Sequence, residues 1–322
     1  MTRITLIGAG FLGNALALGA ARRGWTTTVV SRSDPYATRD ADPGQGEIRV
    51  LPGEGTELAP QVLDQDVDVI VIAAGGRFPL PSAAAPAADA IGTLSLVIGL
   101  CETVRSHSPG TRIVFLSSAG AVYSPGDELK RESDPGEPTS PYGMSRRMGE
   151  EYMEYYRRVH GLSTHSLRCA NVYGRLLPQS RGQGVVSSAF WSALTGTPFT
   201  IHGNGRQTRD FVHVDDFVTA TLDLLVSGRD LPGRVNVGTG VGRSVADVLN
   251  AVSSATGSTI ATTPGPDAHT DTGNLTVDLS VLRSLIDFEP LDLDAGIELM
   301  AREIAAGDAL QNPVTAPRTT SA

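Results

Sequence analysis

The sequence predicts an α/β fold in which a doubly wound parallel β-sheet is followed by a smaller C-terminal domain. Three observations support this prediction. Short β-like runs alternate with helical patterns along the first half of the chain, as they do when helices cover both faces of a parallel sheet. The run Val67–Ala74 is almost continuously apolar, which is typical of a strand buried on both faces. A glycine-rich turn, Gly8–Gly13, joins the first β-like run to the first helical pattern.

The elements follow one another in a regular order. The chain begins with a strand, a helix and a strand, at Arg3–Ile7, Leu12–Arg23 and Thr26–Ser31. Ile48–Leu51 is a candidate third strand, preceded by a loop rich in Pro, Gly and Asp. Strands and helices then alternate as Val67–Ala74, Ile91–Arg105, Arg112–Ser117, Tyr142–His160 and Ser163–Arg168. Ser140 and Pro141 are a natural cap and first-turn pair for the helix that follows them.

Composition and charge exclude several classes of partner. Lys and Arg number 26 and Asp and Glu 35, so the net charge of −9 has the wrong sign for binding nucleic acid or an anionic membrane. Cys101 and Cys169 lie in apolar stretches, which favours buried thiols over a disulfide or a metal site. The six histidines show no metal-ligand spacing, so we expect no metal. No signal peptide and no membrane-spanning stretch is evident, so we expect a cytoplasmic protein.

The glycine turn is the first chemical motif. In the order strand, Gly8-x-Gly10-x-x-Gly13, helix, the backbone turns tightly and approaches a pyrophosphate at the N-terminus of the helix. This context predicts a dinucleotide-binding domain of the Rossmann type, and a turn that only joins two elements is the alternative. The predicted cofactor contacts here and at the end of the apolar strand are Gly8, Gly10, Phe11, Leu12, Gly13, Ala73 and Ala74.

The end of the second strand bears on the choice of cofactor. An acidic residue at this place accepts hydrogen bonds from the ribose of NAD, whereas this chain has Ser31, Arg32 and Ser33. Their guanidinium and hydroxyl groups suit the additional phosphate of NADP, so the sequence favours NADP(H) and leaves NAD(H) possible. In the alternative interpretation Arg32 is a solvated surface residue and Asp34 contacts the ribose.

Hydroxyl groups and a cation form the second motif. Ser117 and Ser118 end a strand at the carboxyl edge of the predicted sheet, where they could bind a ligand or simply cap the next helix. Tyr142, on the following helix, can exchange a proton with a carbinol oxygen when a nearby cation stabilises its phenolate. Arg146 lies one helical turn further on the same face, and its alternative role is a surface arginine beside Arg147.

Six motifs occur in order, GAGFLG at Gly8–Gly13, SSAGAVY at Ser117–Tyr123, SPYGMSR at Ser140–Arg146, LRCANVYG at Leu167–Gly174, GQGVV at Gly182–Val186 and RDFVHVDD at Arg209–Asp216. Together they resemble the extended short-chain dehydrogenases/reductases that act on nucleotide sugars. This family includes UDP-glucose 4-epimerase and the 4-ketoreductases and dehydratases of deoxysugar pathways. The resemblance extends over about three-quarters of the chain, from Ile4 to Leu249.

The resemblance implies roles for the second motif. Ser118 would orient the substrate oxygen, Tyr142 would be the acid/base, and Arg146 would occupy the place of the lysine that grips the nicotinamide ribose. Arginine in place of lysine is the largest departure from the family pattern, because guanidinium is larger and its charge more diffuse. Gly120 is a one-residue insertion, so choosing Ser118 over Ser117 is a judgement.

The resemblance also implies a substrate site. Asn171 and Arg209 would contact a substrate diphosphate, and Val185 would lie close to the nucleotide. A planar bidentate cation such as Arg209 suits a pyrophosphate in an otherwise acidic protein. The alternatives are an ion pair of Arg209 with Asp215 or Asp216, and a simple turn at Asn171.

These features predict a dinucleotide-binding domain over 1–170, a substrate domain over 171–310 interleaved with it, and a disordered tail over 311–322. The favoured activity is reduction of a 4-keto-(deoxy)hexose on a dTDP- or UDP-linked sugar, with a proton from Tyr142. NAD-dependent 4-epimerisation is the alternative reaction, and a non-catalytic dinucleotide sensor is the alternative of another class. The family also implies a homodimer formed by apolar faces at Leu94–Leu100 and Met148–Tyr155.

Overall fold

The computed structural model describes residues 2–32, 46–53, 66–75, 79–179, 184–203, 205–265 and 273–306. These ranges form twelve strands and ten helices. The strands are β1 (Arg3–Ile7), β2 (Thr26–Ser31), β3 (Ile48–Pro52), β4 (Val69–Ile72), β5 (Arg112–Ser118), β6 (Thr164–Cys169), β7 (Asn171–Tyr173), β8 (Phe199–Ile201), β9 (Thr208–His213), β10 (Arg234–Val237), β11 (Gly242–Ser244) and β12 (Thr262–Pro264). The helices are α1 (Phe11–Arg22), α2 (Pro79–Ala84), α3 (Pro86–His107), α4 (Ala119–Val122), α5 (Pro141–His160), α6 (Val185–Thr195), α7 (Val214–Val226), α8 (Val245–Thr256), α9 (Ser280–Leu285) and α10 (Leu293–Ala305).

The predicted α/β class is confirmed by a seven-stranded sheet in the order β10-β6-β5-β4-β1-β2-β3. Each neighbouring pair of strands in this sheet is parallel. The chain winds outward from β1 through β2 to β3, then continues from β4 on the other side of β1. This reversal leaves a crevice at the carboxyl ends of β1 and β4, which is where open α/β sheets bind ligands.

Helices cover both faces of the sheet. On one face α1 packs beside α7, and Gly19 permits their contact because a Cβ there would collide with Val218. On the other face α3 packs beside α5, and their apolar residues form a core with Ile70, Ile72 and Phe115 from the strands. Strands buried on both sides explain why Val67–Ala74 is so uniformly apolar in the sequence.

The remaining strands form two smaller sheets, β11-β9-β7 and β12-β8. Helices α6, α8 and α10 pack around a separate core that contains Phe190, Phe211, Val248 and Met300. Strand β10 comes late in the sequence but pairs with β6 at the edge of the first sheet. The part of the chain after residue 170 therefore contributes one strand to the seven-stranded sheet. The domain division at residue 170 remains a prediction.

Helix α3 differs from the sequence expectation in two ways. It begins at Pro86, five residues before the predicted start, because proline is favoured in the first turn and the small residues there carry no apolar periodicity. Among the described residues it is the one helix long and apolar enough to span a membrane, so the expectation that no such stretch exists is wrong by length and composition. A helix that packs in a protein core has the same composition, and α3 packs against the sheet and α5.

Part of the predicted dimer face is also wrong. Leu96, Val97 and Leu100 are buried in the core formed by α3, α5 and the sheet, so they cannot meet a second copy of the chain. Among the large apolar residues of α3, Ile91 is the exposed one, and it lies outside the predicted face Leu94–Leu100. The predicted tail over 311–322 lies outside the described residues.

Candidate active site

Three glycines shape the turn after β1. Gly8 has a φ of +106°, and a Cβ there would lie 2.6 Å from the Cβ of Ala74. A Cβ on Gly13 would collide with the carbonyl oxygen of Gly8 and lie 3.1 Å from the Cβ of Ala73. A Cβ on Gly10 would meet nothing within 4 Å. The first and third glycines are therefore required by close packing against the end of β4, while the second faces open space.

That open space lies at the N-terminus of α1. Gly10 occupies the N-cap position, where no side chain caps the helix and the first turn carries no acidic residue. The free first-turn N–H groups and the helix dipole attract an anion. Phe11 and Leu12 begin the helix and pack against the core, which anchors this end. The turn Gly8–Gly13 thus fits the pyrophosphate of a dinucleotide.

The end of β2 lies beside this turn, because the Gly8 amide donates to the Val30 carbonyl at 2.9 Å. Ser31 is half-buried at the strand end, and Arg32 is exposed just beyond it. Ser33 and the alternative ribose contact Asp34 lie outside the described residues.

The two serines at the end of β5 differ in their surroundings. Ser117 is 4% exposed, and its Oγ donates a 2.6 Å hydrogen bond to Oε1 of Glu150. Ser118 is half-buried, occupies the N-cap position of α4 without capping it, and makes no side-chain hydrogen bond to another described residue. The hydroxyl available to a ligand is therefore that of Ser118.

Tyr142 lies at the start of α5, close to the end of β5. Ser140 caps this helix by accepting a 3.1 Å hydrogen bond from the Gly143 amide. A Cβ on Gly143 would collide with the Ala121 carbonyl, so the helix start is packed directly against α4, which follows Ser118. The Tyr142 hydroxyl has no hydrogen-bond partner among the described residues.

Arg146 is a buried cation, 8% exposed, so its alternative role as a surface arginine is wrong. Its guanidinium carbon lies 4.9 Å from the Tyr142 ring centroid. The Nη2 atom donates to the Gly75 carbonyl at 2.6 Å, and Nη1 donates to the Leu116 carbonyl at 3.3 Å. The Nε atom is buried without a hydrogen-bond partner among the described residues. Arg146 thus ties the ends of β4 and β5 together beside Tyr142 and retains unused donors.

Tyr123 provides a contrast to Tyr142 within the same motifs. Burial raises the pKa of the Tyr123 phenol to about 12. Its hydroxyl lies 2.9 Å from both the Arg131 carbonyl and Oδ1 of Asn236, and its ring stacks on Arg168. This tyrosine is a structural residue, and Tyr142 is the more accessible phenol.

Two predicted substrate residues lie on neighbouring strands. Asn171 is exposed on β7, which excludes a simple turn, and its Nδ2 donates to the Asp210 carbonyl at 3.1 Å. Arg209 is half-buried on the adjacent β9, and its Nη1 donates to the carbonyls of Thr208 and Gly273 at 2.7 and 2.5 Å. Both side chains are held by main-chain oxygens near the same strand end.

Sequence reasoning missed Asp210, which holds the strand of Arg209 in place. Burial raises the pKa of this carboxyl, although hydrogen bonds to the ionised form act in the opposite direction. It accepts hydrogen bonds from the amides of Thr239 and Gly240 at 2.8 and 2.9 Å. The acidic residue next to Arg209 in RDFVHVDD was a visible signal, but its partners lie about thirty residues later in the chain.

The predicted nucleotide contact Val185 lines a cavity of about 350 Å³ between α6 and β8. Trp191, Thr200 and His202 also line it and were missed. Alternation of apolar and polar residues over 199–202 was a usable signal, and in the structure Phe199 is buried while Thr200 and His202 are exposed. An indole, a hydroxyl and an imidazole thus line this cavity.

Comparisons with known proteins identify the family of this chain. The sequence profile of the NAD dependent epimerase/dehydratase family matches residues 4–238. The putative UDP-glucose 4-epimerase of Methanocaldococcus jannaschii is 30% identical over 246 residues, which is 76% of this chain and 79% of that protein. A dTDP-4-dehydro-6-deoxy-D-allose reductase from a Streptomyces species is 31% identical over 212 residues, 64% of each chain.

Solved structures are similar along almost the whole chain. The UDP-glucose 4-epimerase of Thermotoga maritima, in complex with UDP-glucose, has a TM-score of 0.84 at 25% identity. The UDP-glucose 4-epimerase of Thermus thermophilus, in complex with NAD, has a TM-score of 0.81 at 27% identity. Each alignment covers 95% of this chain and 99% of the other. The family profile matches most of the chain, and the fold and the glycine turn agree with it. The chain therefore belongs to the NAD dependent epimerase/dehydratase family.

Proposed function

We propose that this protein catalyses oxidoreduction at C4 of a nucleoside-diphosphate sugar, and that the reaction is 4-epimerisation. The observation that carries the proposal is the contact of the Tyr142 ring with the buried Arg146 cation, beside the end of β5 that carries Ser118. Neither hydroxyl is engaged by another described side chain, so both are available to a sugar oxygen. The relatives named as UDP-glucose 4-epimerases support this reaction over the reduction favoured from the sequence.

The site fits a nicotinamide dinucleotide, because the space at Gly10 is open, the α1 N-terminus is uncapped and Nε of Arg146 lacks a partner among the described residues. When bound, the nicotinamide accepts and returns the hydride. The chain's own residues transfer the proton and orient the C4 oxygen of the sugar. Ser118 hydrogen-bonds the C4 oxygen, Tyr142 takes its proton and gives it back, and the Arg146 cation stabilises the phenolate between these steps.

The substrate extends away from this centre toward β9 and α6. Arg209 and Asn171 interact with the diphosphate, and the cavity beside Val185 receives the nucleotide base. An aromatic side chain such as Trp191, together with polar groups on Thr200 and His202, suits a base with a planar face and hydrogen-bonding edges. UDP- and dTDP-sugars share these features.

Reduction of a 4-keto sugar is the second candidate. It is supported by the similarity to the Streptomyces reductase and by Arg32, exposed at the end of β2 where the adenosine ribose of a dinucleotide binds. The same Ser118 and Tyr142 groups serve both reactions, since a reductase needs one proton transfer and an epimerase two.

The deciding experiment has two parts. Purified protein is denatured and the released nucleotide is identified. Turnover of two candidate substrates is then measured by NMR. Retained NAD with interconversion of UDP-glucose and UDP-galactose supports the epimerase. NADPH-dependent reduction of a dTDP-4-keto-6-deoxy sugar, with no nucleotide released, supports the reductase. Dinucleotide binding without turnover of UDP- or dTDP-sugars overturns both and leaves the sensor.

The cofactor preference has its own test at Arg32. We propose NAD for the epimerase reaction, but NADP(H) remains the form favoured by Ser31 and Arg32. If Arg32 binds the additional phosphate, Arg32→Ala weakens NADPH binding by about 1.5 to 3 kcal/mol, the range for a hydrogen bond to a charged group. NADH binding stays unchanged. Titration by protein fluorescence measures both, and equal losses for the two cofactors reject the NADP assignment.

A homodimer is proposed on the outer faces of α3 and α5. Ile91 on α3 and Met144, Met148 and Tyr155 on α5 are 40% to 65% exposed, and the two helices pack side by side. We expect Met148→Glu to convert a dimer to a monomer, because an unpaired charge is costly to bury. Light scattering measures the mass, and Val226→Glu, at an exposed position on α7, is the control. A monomeric native protein contradicts the proposal.

A further inference from the structure

A buried carboxylate, Glu150, lies next to the candidate site and is 1% exposed. It follows Tyr142 by eight residues and Arg146 by four, a spacing that places the three side chains on one face of α5. This face packs on β5, where a Cβ on Gly149 would lie 2.9 Å from the Phe115 ring. Glu150 thus belongs to the helix face that carries the proposed acid/base, but it lies deeper in the protein.

Glu150 joins three elements. Its Oε1 accepts the 2.6 Å hydrogen bond from Ser117 on β5. Arg168 on β6 donates from Nε to both carboxylate oxygens at 3.1 Å and from Nη2 to Oε2 at 2.7 Å. The Arg168 side chain is fully buried, so this ion pair has no access to solvent.

Burial makes this arrangement a poor source of stability. Removing two charges from water is costly. A protein that has apolar residues of similar volume in place of a buried ion pair is often at least as stable. The carboxylate instead fixes the relative orientation of its partners, because charged hydrogen bonds are directional. The orientation concerned is that of the last residues of β5.

We propose that Glu150 is a positioning residue which keeps Ser118 available to the substrate, an inference that rests on the proposed function for the role of Ser118. Neighbouring side chains in a strand project differently, so fixing Ser117 against Glu150 keeps the Ser118 hydroxyl out of this buried network. Arg146 holds the carbonyl of Leu116 from the same helix face. Two side chains of α5 therefore fix the two residues before Ser118, and they carry Tyr142 on the same rigid helix.

The sharpest test is Ser117→Ala, because it cuts the link to the strand and leaves the ion pair of Glu150 with Arg168 in place. We expect kcat to fall about 10- to 100-fold, the effect of a small misplacement of reacting groups, with the KM for the sugar nucleotide unchanged. Ser117→Thr retains the hydroxyl and is expected to recover most of the activity. Native kcat in Ser117→Ala overturns the proposal.

Glu151 offers a matched control on the same helix. It pairs with Arg147 and Arg234 at 2.8 and 3.0 Å, and these two arginines also approach Glu150 at 3.8 and 3.3 Å. Glu151 makes no hydrogen bond to β5 among the described residues. Glu151→Gln is expected to keep native kcat, and a loss equal to that of Ser117→Ala would assign the effect to general destabilisation.

Hydrogen exchange of the backbone supplies a readout independent of turnover. In Ser117→Ala we expect faster amide exchange in peptides that contain residues 116–119, with exchange in β1 and β4 unchanged. Equal exchange rates at residues 116–119 in the native protein and in Ser117→Ala overturn the positioning role. If native protein acts on no nucleotide sugar, the proposed function fails, and the exchange rates still decide whether Glu150 holds this strand end.

Discussion

Replacing Tyr142 by phenylalanine is expected to lower turnover by about 10² to 10⁴, the usual contribution of a positioned acid/base. The ring and its contact with the Arg146 guanidinium at 4.9 Å are retained, so the substitution removes little besides the hydroxyl. That hydroxyl makes no hydrogen bond to another described residue, so we expect the free energy of unfolding to change little. Steady-state kinetics with the substrate identified for the native protein measure the effect.

The control for this substitution is Tyr155→Phe. Tyr155 is an exposed tyrosine on the same helix, and the substitution removes a phenolic hydroxyl that lies 3.3 Å from Nε2 of His160, at a distance from the site. Its turnover is expected to match that of native protein. Unchanged turnover in Tyr142→Phe would exclude Tyr142 from the mechanism, whereas a raised KM with native kcat would assign it to binding alone.

The second large effect is expected for Arg146→Ala. Loss of a preorganised charge that stabilises the reacting state lowers kcat by about 10² to 10³. The negative charge that Tyr142 develops on giving up its proton then lacks its neighbouring cation. The carbonyls of Gly75 and Leu116 also lose a donor, and each buried unpaired group costs about 1 to 3 kcal/mol of unfolding free energy.

Two further variants separate the catalytic effect from the structural one. Arg146→Lys keeps the positive charge but can reach fewer acceptors, so it is expected to retain measurable turnover. Arg158→Ala removes an exposed arginine near the end of the same helix and is expected to behave as native protein. Kinetics across a pH series and denaturant unfolding measure both properties. An alanine variant with native kcat at every pH would remove Arg146 from the reaction.

Several features of this protein follow from short stretches of sequence. The glycine turn was predictable because Gly8, Gly10 and Gly13 act on the adjacent backbone, and the order strand, turn, helix is visible locally. Tyr142 and Arg146 were predictable as a pair because residues four apart share a helix face. The parallel sheet followed from the alternation of elements, and the apolar strand β4 lies at its centre.

Other features depended on residues distant in the chain. No local pattern distinguishes Ser117 from Ser118, and the choice is made by Glu150, 33 residues later, which engages the first and leaves the second. Surface exposure of Arg146 was a reasonable alternative because Arg147 follows it, yet the Gly75 carbonyl, 71 residues earlier, draws Arg146 into the interior. Helix α3 is apolar enough for a membrane, and only its packing on the sheet and α5 gives that composition a structural role in the core.

The sequence by itself thus determined the α/β class, the dinucleotide turn and the residue types of the reacting centre, because each arises from contacts between near neighbours in the chain. The tertiary structure alone decided which serine is accessible, that Arg146 is buried, and where Val185, Thr200 and His202 form a cavity. These depend on side chains brought together from distant segments, and their burial and hydrogen bonds exist only once the sheet and its helices have packed.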